Sequence, residues 1–252
     1  MKVQEAFEMG SLDEKISQLQ EIIDQAKHIV FFTGAGVSTD SGIPDFRSQD
    51  GLYHLKYKYP PEEIVSHHFF EQKPEEFWEF YKDKMLNLDA EPNLTHKFMA
   101  ECEKAGKSLG VVTQNIDGLH QKAGSKQVYE LHGSVLRNYC TRCGQFYSAE
   151  YIKQCEGIPH CEKDGAIIKP DVVLYEEGLS DPVIRGAIAA IRSADVLIVL
   201  GTSLVVYPAA GLINYFSGKH LVLINRDVTP YDRNADLLIQ ASFSDVFPKL
   251  HV

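Results

Sequence analysis

Short aliphatic runs alternate with helical segments along this chain, and this alternation limits the possible folds more than any other feature. The runs cover residues 28–33, 109–113, 196–200, 221–225 and 237–240. Each run is bounded by turn residues and is too short for a typical helix. Strands that are apolar on both faces and are separated by helices are typical of a parallel sheet with helices on both sides. The sequence therefore predicts an α/β fold.

The first helix is marked by its cap and its spacing. Ser11 and Glu14 have the spacing of a capping box, in which each residue binds the backbone N–H of the other. Apolar residues follow at helical intervals. The pattern predicts an amphipathic helix over residues 12–26.

Two later regions lack aliphatic strands. Residues 40–92 are rich in Phe, Tyr, His and Pro, and we predict a loop over 40–60 and helices over 61–71 and 75–88. Residues 134–170 hold four of the five cysteines and little aliphatic material. Because such a segment cannot bury a sizeable core of its own, it needs an additional crosslink such as a metal ion.

Composition and charge exclude several classes of function. The 252 residues carry 25 Lys and Arg against 35 Asp and Glu, and the net charge of −10 argues against non-specific nucleic-acid binding. Five cysteines are too few for a disulfide scaffold. The longest aliphatic run is far shorter than the ~20 residues of a membrane span, and no basic segment followed by an apolar run marks a secretory signal. We therefore expect a cytoplasmic protein without membrane contact.

A glycine-rich turn follows the first strand. Gly34, Ala35 and Gly36 come directly after this strand and precede Thr39. Glycines at such a turn let backbone N–H groups approach a phosphate. However, Thr39 replaces the third glycine of the usual dinucleotide motif, and no acidic residue ends a strand ~20 residues later. A tight turn without a ligand is an equally good interpretation of these residues alone.

Polar residues also follow other strands, at the edge where parallel sheets bind ligands. Gln114, Asn115 and Asp117 come after the second strand, and they offer more amide and acid groups than a helix cap requires. His132 follows a short strand, where an imidazole is suited to act as a general base near pH 7. Gly201, Thr202 and Ser203 follow the run at 196–200, and Asn225 ends the run at 221–225, so small or polar residues stand at these strand ends too.

The cysteines suggest a zinc site. Cys140 and Cys143 have the spacing of half such a site, and the second half offers Cys161 and Asp164. Zinc accepts a carboxylate oxygen, so a Cys3Asp set is chemically reasonable. Alternative fourth ligands are Cys155 and His160. A redox pair, or reduced cysteines without a metal, is the alternative to zinc.

The chain resembles the sirtuin family of NAD-dependent protein deacylases over residues Ile29 to Val246, and seven strings carry this resemblance. These are GAGVSTDSGIPDFRS, TQNIDGLHQKAGS, ELHGS, CTRC, IKPDVVLYEE, VLGTSLVVYPAAG and LINRD. The resemblance implies NAD as a co-substrate, one structural zinc ion per chain, and acyl-lysine proteins or peptides as substrates. It also implies a Rossmann-like parallel-sheet domain with a helical insertion and an inserted small zinc-binding lobe. The corresponding residues are 11–39, 93–133 and 171–252 for the large lobe, 40–92 for the helical insertion and 134–170 for the zinc lobe.

The resemblance assigns roles to individual residues. His132 matches the general base of the family, and we expect Asn115 to be the second catalytic residue. Asp117 would recognise the carboxamide of nicotinamide, which leaves as the acyl group passes to ADP-ribose. The implied NAD-binding residues are Gly34, Ala35, Gly36, Thr39, Phe46, Arg47, Gln114, Asn115, Ile116, Asp117, His132, Gly201, Thr202, Ser203, Asn225 and Phe243. The implied metal ligands are Cys140, Cys143, Cys161 and Asp164.

Three positions depart from the family pattern. Asp164 stands where a zinc-binding cysteine is expected, and Glu176 stands where the pattern has glycine. Tyr81 and Lys84 lie where members selective for acidic acyl groups carry Tyr-x2-Arg. Because lysine cannot bind a carboxylate in the bidentate manner of arginine, we expect acetyl-lysine as the first substrate and succinyl-lysine as the second.

Three other activities are compatible with parts of the sequence. They are an NAD(P)-dependent oxidoreductase, a mono-ADP-ribosyltransferase and a zinc-stapled NAD sensor without catalysis. The replaced glycine and the missing acidic residue disfavour the oxidoreductase. His132 disfavours the transferase, and His132 together with Asn115 disfavours the sensor.

Overall fold

The computed structural model describes residues 10–45 and 58–252. The strands are β1 (Ile29–Thr33), β2 (Ser108–Thr113), β3 (Val128–Glu130), β4 (Gly133–Cys140), β5 (Phe146–Ser148), β6 (Ile168–Val172), β7 (Val196–Leu200), β8 (His220–Ile224) and β9 (Leu237–Ile239). The α-helices are α1 (Leu12–Gln25), α2 (Pro61–Ile64), α3 (His67–Gln72), α4 (Pro74–Phe80), α5 (Leu94–Lys104), α6 (Leu119–Ala123), α7 (Ala149–Gln154), α8 (Asp181–Ser193) and α9 (Phe243–Val246). Within the described residues, 3₁₀ helices lie at Ala35–Ser41, Ala209–Tyr215, Asp232–Asn234 and Phe247–Lys249, and a π-helical turn lies at Tyr81–Met85.

Six of these strands form a parallel sheet in the order β3-β2-β1-β7-β8-β9. Numbered by chain order within this sheet, the arrangement is 3-2-1-4-5-6, which is the strand order of the Rossmann fold. The Rossmann-like sheet predicted from the sequence is therefore confirmed. The strand order reverses between β1 and β7, and ligands of such sheets bind outside the carboxyl ends of the strands at this point.

Helices cover both faces of the parallel sheet, as its buried strands require. Neighbouring residues of β1 point to opposite faces: Phe31 belongs to a cluster with Ile23 and Phe98, whereas Phe32 belongs to a cluster with Ile191. The rings of Phe31 and Phe98 meet edge to face, with centroids 6.5 Å apart. Within residues 10–45 and 58–252, the helices are all too short or too polar to cross a bilayer.

The second sheet is antiparallel, in the order β5-β4-β6. Its core is shared with the helical segment that precedes it in the chain, because Phe77 and Trp78 of α4 lie in one hydrophobic cluster with Ile152 and Ile168. Two regions that look separate in the sequence thus bury their apolar surface against each other. The residue ranges that the sequence predicts for the large lobe, the helical insertion and the zinc lobe remain predictions.

The helices predicted over 61–71 and 75–88 are only partly correct. The first is divided into α2 and α3, since the hydroxyl of Ser66 accepts the Phe69 N–H at 3.4 Å and caps a new helix. The division is also fixed from outside, where the His67 N–H donates to the Tyr175 carbonyl at 3.0 Å. The second helix ends as the π-helical turn at Met85. Most of the loop predicted over 40–60 lies outside the described residues.

Candidate active site and metal centre

The glycine turn lies at the point where the strand order of the parallel sheet reverses. Gly34 follows β1 and Gly201 follows β7. The Gly36 N–H donates to the Gly201 carbonyl at 2.9 Å, and the Gly34 N–H donates to the Leu200 carbonyl at 3.0 Å. A Cβ atom at Gly36 would lie 2.8 Å from Gly201 Cα, which no real side chain tolerates. The glycines are therefore needed for the close approach of two backbone segments.

These contacts change the interpretation of the turn. The sequence predicts that glycine N–H groups face a phosphate, but those of Gly34 and Gly36 are donated within the protein and support the turn itself. The following segment is a 3₁₀ helix, and Thr39 closes it by donating its hydroxyl to the Gly36 carbonyl at 2.9 Å. Thr39 thus stabilises the turn at the place where the dinucleotide motif has its third glycine.

A buried polar cluster lies beside this turn. The hydroxyl of Ser38 donates to Oδ2 of Asp117 at 2.6 Å, and Nδ2 of Asn115 donates to the Ser38 hydroxyl at 3.2 Å. The Leu119 N–H donates to the other carboxylate oxygen of Asp117 at 2.9 Å. Burial raises the pKa of Asp117, and the hydrogen bonds from Ser38 and Leu119 partly oppose this. Ser38 is not among the site residues that the sequence predicts, although it lies within the glycine-rich string.

Two threonine hydroxyls at the ends of β1 and β2 are hydrogen-bonded to each other and to the backbone of this cluster. The hydroxyl of Thr33, at the end of β1, donates to the hydroxyl of Thr113, at the end of β2, at 2.8 Å. The Thr113 hydroxyl also accepts the Asn115 N–H at 3.0 Å, and Nε2 of His120 lies 2.9 Å from the Thr33 hydroxyl. No periodic pattern in the sequence predicts this contact, because pairing of β1 with β2 brings the two threonines together.

The imidazole of His132 has a defined tautomer. Its Nδ1 lies 2.9 Å from the carbonyl oxygen of Gln114. A carbonyl oxygen can only accept, so Nδ1 carries the proton and Nε2 keeps its lone pair. Burial lowers the pKa of His132, and the hydrogen bond to Gln114 opposes this only in part. The neutral imidazole is therefore available as a proton acceptor at Nε2.

The other predicted residues occupy different places. Nε2 of Gln114 donates to the Thr202 hydroxyl at 2.9 Å and so joins the ends of β2 and β7. Ile116 packs against the cluster shared by the helical segment and the antiparallel sheet. Asn225 lies at the end of β8 and donates from Nδ2 to the Asp227 carbonyl at 2.9 Å.

Phe243 is a residue of the hydrophobic core, where its ring lies 5.9 Å from that of Phe247. Ala35 and Ser203 lie half-buried beside the two glycine loops. Phe46 and Arg47 lie outside the described residues.

Glu176 adopts the backbone conformation of the glycine it replaces. Its φ of 78° lies in the left-handed region, which is costly for a residue with a side chain. The carboxylate is held by His68, whose N–H donates at 3.1 Å and whose Nδ1 lies 2.8 Å from Oε1. The segment after β6 therefore keeps the shape expected with glycine, and its side chain is bound to α3.

The predicted metal ligands form one cluster. The ligand atoms of Cys140, Cys143, Cys161 and Asp164 all lie within 4.8 Å of one another. The thiols of Cys143 and Cys161 are 3.6 Å apart, and two sulfurs bound tetrahedrally to zinc at about 2.3 Å would be about 3.8 Å apart. The spacing therefore fits zinc. Cys155 and His160 are not members of the cluster.

The fourth donor of this cluster is ionised. The Ala166 N–H donates to Oδ1 of Asp164 at 3.0 Å and, with the neighbouring thiols, lowers the pKa of Asp164 to about 2. Three sulfurs and one carboxylate make a set of four protein donors, which is typical of a structural zinc site. Such a set has no open position for a substrate.

Fold and site together define a Rossmann-like α/β protein with polar residues gathered at its strand-order reversal and a second, antiparallel sheet beside a Cys3Asp cluster. The Sir2 family profile matches residues 34–208, and the chain belongs to the Sir2 family. The chain is 59% identical over 242 residues to an "NAD-dependent protein deacetylase" of Clostridium perfringens, covering 95% of this chain and 99% of the relative. It is 57% identical over 236 residues to a protein of the same name in Clostridium acetobutylicum, with coverages of 92% and 96%.

Solved structures agree with this relationship. A Sir2 structure with a deacetylated p53 peptide and 3'-O-acetyl ADP-ribose has a TM-score of 0.86 and 40% identity, covering 92% of this chain and 96% of the other. A Sir2 structure with a p53 peptide and NAD+ has a TM-score of 0.84 and 40% identity, with coverages of 93% and 96%. A structure of Sir2Tm with a propionylated peptide has a TM-score of 0.82 and 39% identity, with the same coverages.

Proposed function

We propose that this chain is an NAD-dependent protein-lysine deacetylase, which releases nicotinamide and transfers the acetyl group to ADP-ribose. The observation that carries the proposal is the position of His132. Its unprotonated Nε2 belongs to an imidazole held by the same loop that carries Asn115 and Asp117, at the ligand-binding edge of the sheet. The relatives named above support the same activity.

NAD would occupy the crevice outside β1, β2 and β7. Asp117, oriented by Ser38, would bind the carboxamide of nicotinamide, and Gln114, Asn115 and Ile116 would line the same pocket. The phosphates and riboses would lie against Gly34, Ala35, Gly36, Thr39, Gly201, Thr202, Ser203 and Asn225, and Gly34 and Gly36 would contribute the shape of the turn, since their N–H groups are donated within the protein. Phe46 and Arg47 would cover the nicotinamide ribose, and Phe243 would close off the adenine end.

Deacetylation with NAD requires the protein to hold NAD and acetyl-lysine in the correct orientation and to accept one proton. The oxygen of the acetyl-lysine amide attacks the ribose carbon as nicotinamide leaves, so the sugar passes through a cationic state that depends on orientation. Nε2 of His132 then accepts a proton from a ribose hydroxyl, and that oxygen attacks the former amide carbon. Water completes the release of free lysine and O-acetyl-ADP-ribose.

The metal would be structural. Cys140, Cys143, Cys161 and Asp164 would hold one zinc ion, which crosslinks the end of β4 to the turn before β6. The ion supplies folding energy and no catalytic step. The absence of nucleic-acid and membrane partners stays a prediction of the charge and the composition, and so does a cytoplasmic location.

Product analysis tests this function. Purified protein is incubated with NAD and an acetyl-lysine peptide, and the products are identified by mass spectrometry. We expect equal amounts of nicotinamide, O-acetyl-ADP-ribose and deacetylated peptide. NADH absorbance would indicate an oxidoreductase, a peptide or protein that gains ADP-ribose would indicate a transferase, and NAD binding without turnover would indicate a sensor.

A further inference from the structure

His132 lies on the connection between the two sheets. β3 ends at Glu130 and β4 begins at Gly133, so two residues join the edge of the parallel sheet to the middle strand of the antiparallel sheet. The Leu131 N–H donates to the Thr113 carbonyl at 2.9 Å on the parallel-sheet side. A movement of one sheet relative to the other would therefore move the imidazole of His132.

Arg137 spans this connection. Its Nη1 donates to Oε2 of Glu130 at 2.8 Å, and its Nε donates to Oδ2 of Asp171 at 2.7 Å. Glu130 ends β3 in the parallel sheet, whereas Asp171 lies in β6 of the antiparallel sheet. One guanidinium thus binds a carboxylate of each sheet, close to the connection that carries His132.

The Glu130 side of these ion pairs is packed more closely than the side of Arg137 and Asp171, whose side chains are 37% and 42% exposed. The other carboxylate oxygen of Glu130 accepts Nε2 of Gln121 at 2.8 Å. Gly133 has a φ of 75°, and a Cβ atom there would overlap the carbonyl oxygen of Asp171. The Glu130 side chain is 12% exposed, so removal of Arg137 would leave this carboxylate largely withdrawn from water without its cation.

We propose that Arg137 is a positioning residue for His132, because its two ion pairs fix the sheet connection that carries the base. This inference rests on the proposed deacetylase function. The glycine turn follows β1, which is two strands away from β3 in the sheet. Loss of Arg137 should therefore impair the step at His132 and leave NAD binding largely unchanged.

Substitutions of Arg137 test this role. We expect Arg137→Met to lower kcat for deacetylation by about tenfold or more, since small displacements of a reacting group have effects of this order. The KM for NAD should stay within about twofold of wild type. Arg137→Lys should recover part of kcat, because its single ammonium cannot make both bonds at the same angles. The control is Lys153→Met, which removes an exposed ion pair to Asp89 from the same lobe.

A double variant that combines Arg137→Met with His132→Ala shows whether Arg137 acts through His132. In a His132→Ala protein the base is absent, so adding Arg137→Met should cause no further loss of the residual rate. An equal loss in both backgrounds, or a wild-type kcat in Arg137→Met, would overturn the inference. If Arg137→Met does not fold, Asp171→Asn removes one of the same ion pairs and serves in its place.

The two proposals fail in different ways. A wild-type protein that does not deacetylate in the presence of NAD contradicts the proposed function, and the inference falls with it. An active wild-type protein whose Arg137→Met variant shows only a raised KM for NAD contradicts the inference alone. Zinc content is measured in every variant, and a loss of zinc in Arg137→Met would assign the residue a structural role instead.

Discussion

The Nδ1–H group of His132 donates a hydrogen bond to the carbonyl oxygen of Gln114, with Nδ1 and the oxygen 2.9 Å apart. This hydrogen bond links two parts of the site, because Gln114 begins the loop that carries Asn115 and Asp117. The proposed base is therefore oriented by the backbone of the proposed nicotinamide pocket. Displacement of that loop would disturb the binding pocket and the base together.

Replacement of His132 should remove deacetylation and retain NAD binding. We expect His132→Ala to lower kcat/KM by about 10²-fold or more, the scale of a lost general base. NAD affinity, measured by calorimetry, should change little. The control is His28→Ala, since His28 is exposed and precedes β1 at the opposite end from the site. A folded His132→Ala protein with wild-type turnover would refute the assignment.

The surroundings of His132 also predict how deacetylase activity depends on pH on the acidic side. Burial lowers the pKa of His132, so its neutral, proton-accepting form persists below the usual histidine value of about 6.5. Activity should therefore be retained down to pH values below about 6.5 and then fall as the imidazole becomes protonated. An activity that falls at a pH above 7 through a histidine-like ionisation would contradict this environment.

The sequence predicts most of this architecture where the signals are local. The five aliphatic runs identify five of the six strands of the parallel sheet, and Ser11 and Glu14 form the predicted capping box. Spacing also brings Asp164 forward as a fourth metal ligand, but it leaves Cys155 and His160 as alternatives, and only the structure places Asp164 beside the three thiols.

The parts that were missed depend on residues far apart in the chain. The division of the helix at Ser66 is fixed partly by a hydrogen bond between His67 and Tyr175, and such a contact leaves no local pattern. The role of Gly36 is similar, because its need for glycine arises from Gly201, which approaches only when β1 pairs with β7.

One zinc ion per chain should be found by metal analysis, and its removal should destabilise more than the zinc lobe. The helices α3 and α4 share a hydrophobic cluster with β4 and β6. Hydrogen exchange in chelator should therefore show loss of protection in both regions before the parallel sheet. Asp164→Cys should tighten zinc binding, whereas Cys155→Ser should leave it unchanged. Well under one equivalent of zinc, with unchanged stability in chelator, would refute the site.

A methyl group at Gly36 should disrupt the crevice. The added Cβ would lie 2.8 Å from Gly201 Cα and 2.9 Å from its carbonyl oxygen, so one of the two loops must move. We expect Gly36→Ala to lower the free energy of unfolding by about 1–3 kcal/mol and to raise the KM for NAD. Gly178→Ala is the matched control, since a Cβ there meets nothing within 4 Å. Equal behaviour of the two variants in urea unfolding and kinetics would show that the loops are not held together as described.

Acid should destabilise the fold through a buried histidine. Burial lowers the pKa of His96 to about 4, while the unfolded value is about 6.5. The unfolded state therefore binds more protons below about pH 6.5, and stability is lost as the pH falls towards 4, by roughly 3 kcal/mol in total. Urea unfolding at several pH values should show a weaker pH dependence for His96→Gln than for wild type. His28→Gln is the exposed control, and parallel curves for wild type and His96→Gln would contradict the prediction.

The predicted preference for acetyl-lysine over succinyl-lysine rests on Lys84, which stands where members selective for acidic acyl groups carry arginine after Tyr81. Tyr81 is fully buried and stacks on Phe77 with ring centroids 5.5 Å apart, and its hydroxyl has no hydrogen-bond partner among the described residues. Nζ of Lys84 lies 2.9 Å from Oδ2 of Asp83, which partly neutralises the charge that a succinyl carboxylate would need. We therefore expect kcat/KM for an acetyl-lysine peptide to exceed that for a succinyl-lysine peptide.

Two variants separate the roles of these side chains. Lys84→Met should leave deacetylation unchanged and abolish any residual desuccinylation, since only the acidic acyl group needs the cation. Tyr81→Phe removes a buried hydroxyl without a partner, so it should raise the free energy of unfolding by about 1 kcal/mol and preserve deacetylation. The measurements are both rates in wild type and in each variant. If succinyl-lysine is the better substrate and Lys84→Met erases that preference, the ranking is wrong. If longer acyl chains are removed and neither of these two is, the pocket selects for apolar groups instead.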